Sequence, residues 1–274
     1  MKIVYWSPYH GQAGTTSNML INGVLSSILY KQKSILTHTH FTLNNLELPL
    51  VGSNAKNIDS RGYFQDVGID ALIRNYKSAI LTQEDLYNCC ISIPNTSLSL
   101  LPGTSKNNEV SFEYEMNKVL INILKSIEGM SDIVFIDVCS GNNPISLKII
   151  EDSDITIVNL SQNQEVIYSY FSTYKDIHHG KQFYLLGNYD ANSRYNLSNI
   201  RRRYHKFIKP NNSGVIPHNT GFLDSLNDGK VVEFIRDNIS ADRDDENYYF
   251  MSMAMEVSEK INNLIGIAVD SKEK

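Results

Sequence analysis

The sequence predicts an α/β protein, a doubly wound and mostly parallel sheet with helices on both faces, organised as one domain over residues 1–274. Three observations carry this reading. Short β-branched runs bounded by turn residues alternate with helical stretches, the pattern of strand–helix–strand crossovers. The run Ile133-Val134-Phe135-Ile136 is apolar at every position, as a central parallel strand covered on both faces should be. The first strand also runs into a glycine-bearing loop and then a helix, a common opening for such folds.

Taken in order, residues 2–6 form the first strand and residues 15–30 the first helix; a second strand follows over 34–40. Residues 48–110 are rich in Asn, Ser and Leu and less regular, an elaboration of the same domain carrying a short strand at 98–101. Regular alternation resumes with a helix at 112–128, a strand at 133–138, a helix at 144–151, a strand at 155–160, a helix at 164–173 and a strand at 183–188. Helices at 198–207, 226–238 and 247–264 complete the chain. Each strand is a β-branched run between turn residues and each helix a longer stretch between strands. The sequence shows no internal repeat and no low-complexity linker.

Composition narrows the function. The chain has 274 residues, 42% of them hydrophobic, with 25 basic and 30 acidic side chains and a formal net charge of -5. That mild acidity argues against nucleic-acid binding by the bulk field of the domain. Cys89, Cys90 and Cys139 offer neither a disulfide framework nor metal-ligand spacing, which fits a reducing compartment. The N-terminus lacks the apolar core of a secretion signal, and the longest apolar runs are far below the ~20 residues that span a bilayer. A soluble, cytoplasmic protein with no transmembrane segment is expected.

The loop is Ser-Pro-Tyr-His-Gly-Gln-Ala-Gly-Thr-Thr-Ser over residues 7–17. A strand, a glycine loop and a helix N-terminus make a phosphate cradle, because backbone N–H groups converge and the helix dipole favours an anion. Gly11 and Gly14 permit close backbone approach, and Thr16 stands where a hydroxyl would hold Mg²⁺. The usual lysine before that hydroxyl is replaced by Thr15. A plain turn, with Thr or Ser capping the next helix, is the competing reading of the same residues.

The segment His10-Gly11-Gln12-Ala13-Gly14-Thr15-Thr16-Ser17 resembles the deviant phosphate-binding loop of ParA/MinD-like P-loop ATPases, Lys-Gly-Gly-Val-Gly-Lys-Thr-Thr. Both lysines are replaced, by His10 and Thr15. Residues 37–47, from Thr37 through His38 and His40 to Glu47, resemble the family segment Val-Asp-Phe-Asp-Ile-Gly-Leu-Arg-Asn-Leu-Asp. His38 and His40 then stand at two aspartate positions, the first of them associated with hydrolysis. Asp137-Val138-Cys139-Ser140-Gly141 is similar to the family's Asp-x-x-x-Gly. The resemblance implies that Asp137 holds Mg²⁺ through water and that the Gly141 N–H faces the γ-phosphate. Leu185-Leu186-Gly187-Asn188 and Gly214-Val215-Ile216-Pro217 resemble the adenine-reading strand and the loop over the base, which assigns Asn188 and Pro217 to the nucleotide. The five segments run in family order from residue 1 to about residue 240. The loss of lysines is similar to the TadZ/CpaE branch.

The resemblance implies ATP and Mg²⁺ as weakened cofactors, a homodimer and an unidentified protein partner. Function is then an ATP-binding positioning or scaffold protein with weak or absent hydrolysis, in pilus assembly, secretion or DNA-element localisation. An active ATPase with substitute residues and a nucleotide-independent interaction protein stay open. Removing one electrostatic stabiliser typically costs catalysis about 10²- to 10³-fold. Protonated His10, His38 or His40 would restore part of the lost charge; alternatively the three are neutral spacers, and a metal site on His38 and His40 lacks a third ligand. Arg201, Arg202, Arg203 and Lys206 form the dense basic cluster, read as the solvated face of a helix rather than a DNA contact. The last helix, with Met251, Val257 and Ile261, is expected to pack on the domain rather than on a membrane. Cys139 reads as a small buried residue.

Overall fold

A computed structural model of the chain describes residues 1–40, 46–52, 67–78, 82–104, 109–178 and 180–266. Eight strands form one sheet: β1 (Lys2–Trp6), β2 (Ser34–His38), β3 (Ile91–Ser92), β4 (Leu98–Leu101), β5 (Ile133–Asp137), β6 (Ile155–Leu160), β7 (Lys181–Tyr189) and β8 (Ser213–Pro217). Their order is β3-β4-β2-β5-β1-β6-β7-β8. Every pairing is parallel except β3 with β4, a two-residue antiparallel edge that the irregular sequence around it does not signal.

The strands bury both faces because both faces are covered. In β1, Val4 and Trp6 enter one apolar cluster while Ile3 and Tyr5 enter the other, the period-two alternation of a pleated strand. On the first face lie α3 (Gly68–Ser78), α4 (Gln83–Asn88), α5 (Glu109–Glu128), α6 (Pro144–Glu151), α7 (Gln164–Ser169) and α8 (Leu197–Arg203). The second carries α1 (Thr15–Leu29), α2 (Glu47–Val51), α9 (Thr220–Asp228), α10 (Val231–Asn238) and α11 (Tyr248–Ile265). Met251, Val257 and Ile261 of α11 are buried in this second core, so the last helix packs on the sheet as its sequence predicts. Among the described residues no helix is long and apolar enough to cross a membrane.

Three boundaries differ from the sequence reading. Helices α3 and α4 occupy part of the stretch read as irregular. The expected helix at 226–238 is two helices, because Gly229 takes a left-handed φ of 70° and ends α9. Gly229 also lies against α2: a Cβ there would come within 2.2 Å of the Gly52 Cα. The second strand stops at His38 rather than residue 40, which turns His38 and His40 toward different partners. Residues 41–45 of the matching sequence segment, and 267–274 at the end of the chain, lie outside the described residues.

Candidate functional site

The carboxyl ends of β1, β2, β5 and β7 meet at one edge of the sheet, where open parallel sheets bind ligands. A cleft of about 640 Å³ opens there, floored by the loop after β1 and the first turn of α1. Gly14 is the residue before α1, at φ 62° and ψ 38°, and no side chain caps the helix. A capped turn would place Ser or Thr at that position, so the competing reading of the loop is not what forms. Gly11 is left-handed as well, at φ 72°. These conformations suit glycine. The first N–H groups of α1 have no partner within the helix and carry the positive end of its dipole.

The loop is held by asparagines that the sequence reading did not single out. Asn18 Nδ2 donates to the Ala13 carbonyl at 3.0 Å and to Asn159 Oδ1 at 2.9 Å. Asn159 Nδ2 in turn donates to the Ile157 carbonyl at 3.0 Å. Both side chains are buried, so these bonds stay shielded from water. Gly187 completes the support: a Cβ there would stand 2.0 Å from the Ala13 carbonyl oxygen and 2.6 Å from Asn18 Nδ2. The next residue, Asn188, takes φ 49° and brings its side chain beside Gly14, into the lining of the cleft. Buried polar residues at strand and helix positions were the available signal for Asn18 and Asn159.

Thr16 and Asp137 come together across the cleft floor, the hydroxyl donating to Asp137 Oδ2 at 2.5 Å. His40 Nε2 reaches the same oxygen at 3.1 Å. Asp137 is 2% exposed, yet its carboxylate lines the cleft with Thr15, Thr16, Ser17 and His40. A hydroxyl and a carboxylate at a helix N-terminus are hard oxygen donors, and this set suits Mg²⁺. Loop N–H groups and α1 suit a phosphate chain, so the residues present fit Mg²⁺ and a nucleotide's phosphates. What the lining does not provide, among the described residues, is a lysine or arginine.

His38 and His40 do not act as a pair. Their rings lie 4.6 Å apart, but His38 Nε2 bonds Glu47 Oε1 at 3.2 Å. Glu47 Oε1 also accepts the Gly103 N–H at 2.9 Å. Burial by itself would push the His38 imidazole down, but the hydrogen bond and charge of Glu47, with Asp137 close by, carry it above its ordinary 6.5. Burial would raise the Glu47 carboxyl; the His38 hydrogen bond and charge and the Gly103 N–H instead hold it at about 2, from 4.5. Of the two readings of His38, the one in which it lends charge to a phosphate finds no support in its position: Glu47 pairs with it and its ring is not part of the cleft lining. His40 is turned to Asp137. His10 lines the cleft and is exposed.

Other predicted site residues sit differently. Gln12 is exposed beside the cleft and Ala13 is buried beneath it. The Gly141 N–H, expected to face a γ-phosphate, donates to the Ser7 carbonyl at 3.0 Å. The Gly141 carbonyl accepts the Trp6 indole N–H at 3.1 Å. Pro217 ends β8 opposite Tyr189, outside the lining. Cys139, read as buried, is half-exposed and lines the cleft. Leu48 and Pro49 of α2 and Leu223 and Leu226 of α9 form an apolar wall.

The basic cluster divides. Arg201 is half-buried and donates through Nε and Nη2 to the hydroxyl and carbonyl of Ser213, at 2.9 and 3.0 Å. It ties α8 to β8 and is not part of a solvated face. Arg202, Arg203 and Lys206 are exposed.

No protein-family model and no curated protein matches the chain. Solved structures do match over nearly its full length. The septum site-determining protein MinD from Pyrococcus horikoshii OT3, complexed with Mg-ADP, is 15% identical with a TM-score of 0.70, covering 97% of this chain and 98% of that one. A ParA family ATPase from Chlorobium tepidum TLS is 13% identical with a TM-score of 0.70, covering 95% and 98%. A Cyanothece McdA–ATP complex is 14% identical with a TM-score of 0.63, covering 99% and 98%. The fold is that of the MinD/ParA P-loop NTPases.

Proposed function

We propose that this protein binds ATP with Mg²⁺ and acts as a positioning or scaffold protein of the ParA/MinD type, with weak or absent hydrolysis. The observation that carries the proposal is the Thr16–Asp137 contact at 2.5 Å across the first turn of α1, inside a cleft floored by the glycine loop. On this reading the chain is a single domain working in the cytoplasm, as a homodimer with a protein partner. We read the replaced lysines as nearest in character to the TadZ/CpaE branch, with pilus assembly, secretion or DNA-element localisation as the proposed setting.

Bound Mg²⁺ would supply the positive charge that the cleft's side chains lack, with Thr16 and Asp137 holding it. The loop N–H groups and the α1 dipole would orient the phosphates. Asn188, in the lining of the cleft, would border the base, whereas Pro217 lies outside that lining. Weak turnover follows from the side chains. A lysine charge on the β- and γ-phosphates is worth most in the transition state, and Thr15 carries none. His38, at the position that the resemblance associates with hydrolysis, is engaged by Glu47, and His40, at the other aspartate position, by Asp137.

Titration with fluorescent ATP and Mg²⁺, followed by a phosphate-release assay, tests this reading. Binding with no release above buffer is the expected result. Steady release would show an active ATPase with substitute residues, and no binding would show a nucleotide-independent interaction protein.

A further inference from the structure

We propose that a second groove, between α7 and α8, docks an acidic segment of a protein partner that carries an apolar side chain among its carboxylates. Such a segment would belong to the partner invoked in the preceding reading. The groove is separate from the nucleotide cleft and needs no nucleotide to be filled.

The end of β7 borders both sites. Asn188 lines the nucleotide cleft, and beyond the end of the strand the chain brings Arg194 to the second groove, of about 490 Å³. Ile167 of α7 and Ile200 of α8 are buried and give this groove an apolar floor, with Tyr195 and Tyr204 beside them. Tyr204 stacks on Phe171, ring centroids 4.2 Å apart, and Phe171 lies 5.2 Å from Phe207, which is 42% exposed. Apolar surface therefore continues past the groove, further than one small molecule would cover. The groove is also built in advance. Gln162 Oε1 accepts the Asp190 N–H at 2.8 Å and its Nε2 donates to the Asp190 carbonyl at 2.9 Å. Asn199 Nδ2 donates to the Arg194 carbonyl at 2.8 Å. The chain from Asp190 to Arg194 is thereby tied to the approach to α7 and to α8, and a preformed surface loses less freedom on binding.

Charge selects the occupant. Arg194 and Arg203 line the groove and are exposed. The Arg194 guanidinium carbon lies 5.0 Å from the Tyr195 ring centroid, and that of Arg203 5.6 Å from the Tyr204 centroid. Arg194 Nη2 donates to the Tyr195 hydroxyl at 3.0 Å. Contacts of this kind steady a guanidinium while leaving other N–H groups for a carboxylate, which it can grip with two hydrogen bonds. Among the described residues no carboxylate forms an ion pair with Arg194, Arg202, Arg203 or Lys206. An uncompensated basic edge in a chain of net charge -5 is complementary to an acidic segment, and the apolar floor to a Leu, Ile or Phe within it. Nucleic acid fits less well. Arg201 is taken up by Ser213, duplex binding draws on about six to ten phosphate contacts, and an aliphatic floor offers a phosphate backbone no partner.

Selection of a displayed library of short random peptides on the full chain without nucleotide, followed by fluorescence polarisation of the selected peptides, tests this docking. Because nucleotide is left out, its failure and the failure of the nucleotide reading are distinguishable. The expected result is enrichment of Asp or Glu around a Leu, Ile or Phe, with binding that weakens as salt rises. Arg203→Glu and Arg194→Glu should each lose at least about tenfold in affinity. Lys118→Glu makes the same change of charge on α5, outside the groove lining, and should alter affinity less than about twofold. All three positions are exposed, so each variant should melt with the native protein. No enrichment, enrichment of basic or neutral sequences, affinity kept by either arginine variant, or an equal loss in Lys118→Glu overturns the proposal. Binding of a fluorescein-labelled DNA duplex that is lost in Arg203→Glu, with no acidic peptide selected, makes the basic edge a nucleic-acid contact and overturns it as well.

Discussion

Replacing Glu47 with Gln tests the buried pair that joins α2 to the end of β2. The carboxylate drops from 4.5 to about 2 in the folded protein. At roughly 1.4 kcal/mol per pH unit, this corresponds to about 3 kcal/mol of stabilisation near neutral pH. Removing one partner of a buried pair costs about 3–5 kcal/mol when the other is left charged. Glutamine keeps an oxygen for the Gly103 N–H and His38 can give up its proton, so about 2–3 kcal/mol is expected, or roughly 5–8 °C in a chain of this size. The sign with pH follows from both partners. The depressed Glu47 contributes above 4.5 and loses its contribution as pH falls toward 2. His38, raised above 6.5, contributes fully below that value and loses its contribution as pH climbs through the elevated one. Both are complete between about 4.5 and 6.5, so thermal unfolding followed by circular dichroism should show the largest deficit for Glu47→Gln there and a smaller one in alkaline buffer. Equal melting of the variant and the native protein at about pH 5.5, or a deficit that grows on the alkaline side, refutes the reasoning.

Gly187→Ala should abolish measurable nucleotide binding while costing about 1–3 kcal/mol of stability, because its Cβ would meet the Ala13 carbonyl at 2.0 Å; titration calorimetry beside a melting curve separates the two effects. Arg201→Ala should cost about 1–3 kcal/mol in denaturant unfolding by removing its two hydrogen bonds to Ser213, whose hydroxyl keeps the Lys209 carbonyl and whose carbonyl keeps Lys260, whereas Arg202→Ala, on the exposed side of α8, should leave the midpoint within about 0.5 kcal/mol. Asn143→Ala should destabilise by about 1 kcal/mol, since its Oδ1 accepts the N–H groups of Ile145 and Ser146, each at 3.0 Å; urea unfolding measures it.

The regular part of the fold was legible because its signals are local. Ile133 to Ile136 are apolar throughout, and the strand they predict lies at the centre of the sheet between β2 and β1. Thr16 and Asp137 were each singled out in the sequence as candidate Mg²⁺ ligands, Thr16 from the loop and Asp137 from the family resemblance, and the structure brings their side chains together across 121 residues. What escaped depends on contacts without a local pattern. Nothing near Glu47 announces that it bonds His38, and nothing near Trp6 that its indole reaches Gly141. The break at Gly229 hides inside an apolar periodicity that continues on both sides of it. Arg201 looks like its two neighbours in sequence; only the position of Ser213 sets it apart.

The contact between Gly229 and Gly52 bears on how the cleft behaves mechanically. With no side chain between them, α2 and the junction of α9 with α10 touch backbone to backbone. Leu48, Pro49, Leu223 and Leu226 then form a single jaw rather than two. The facing jaw is tethered at Gly141. Among the described residues, a displacement of α2 would therefore carry the start of α10 and the apolar wall of the cleft with it.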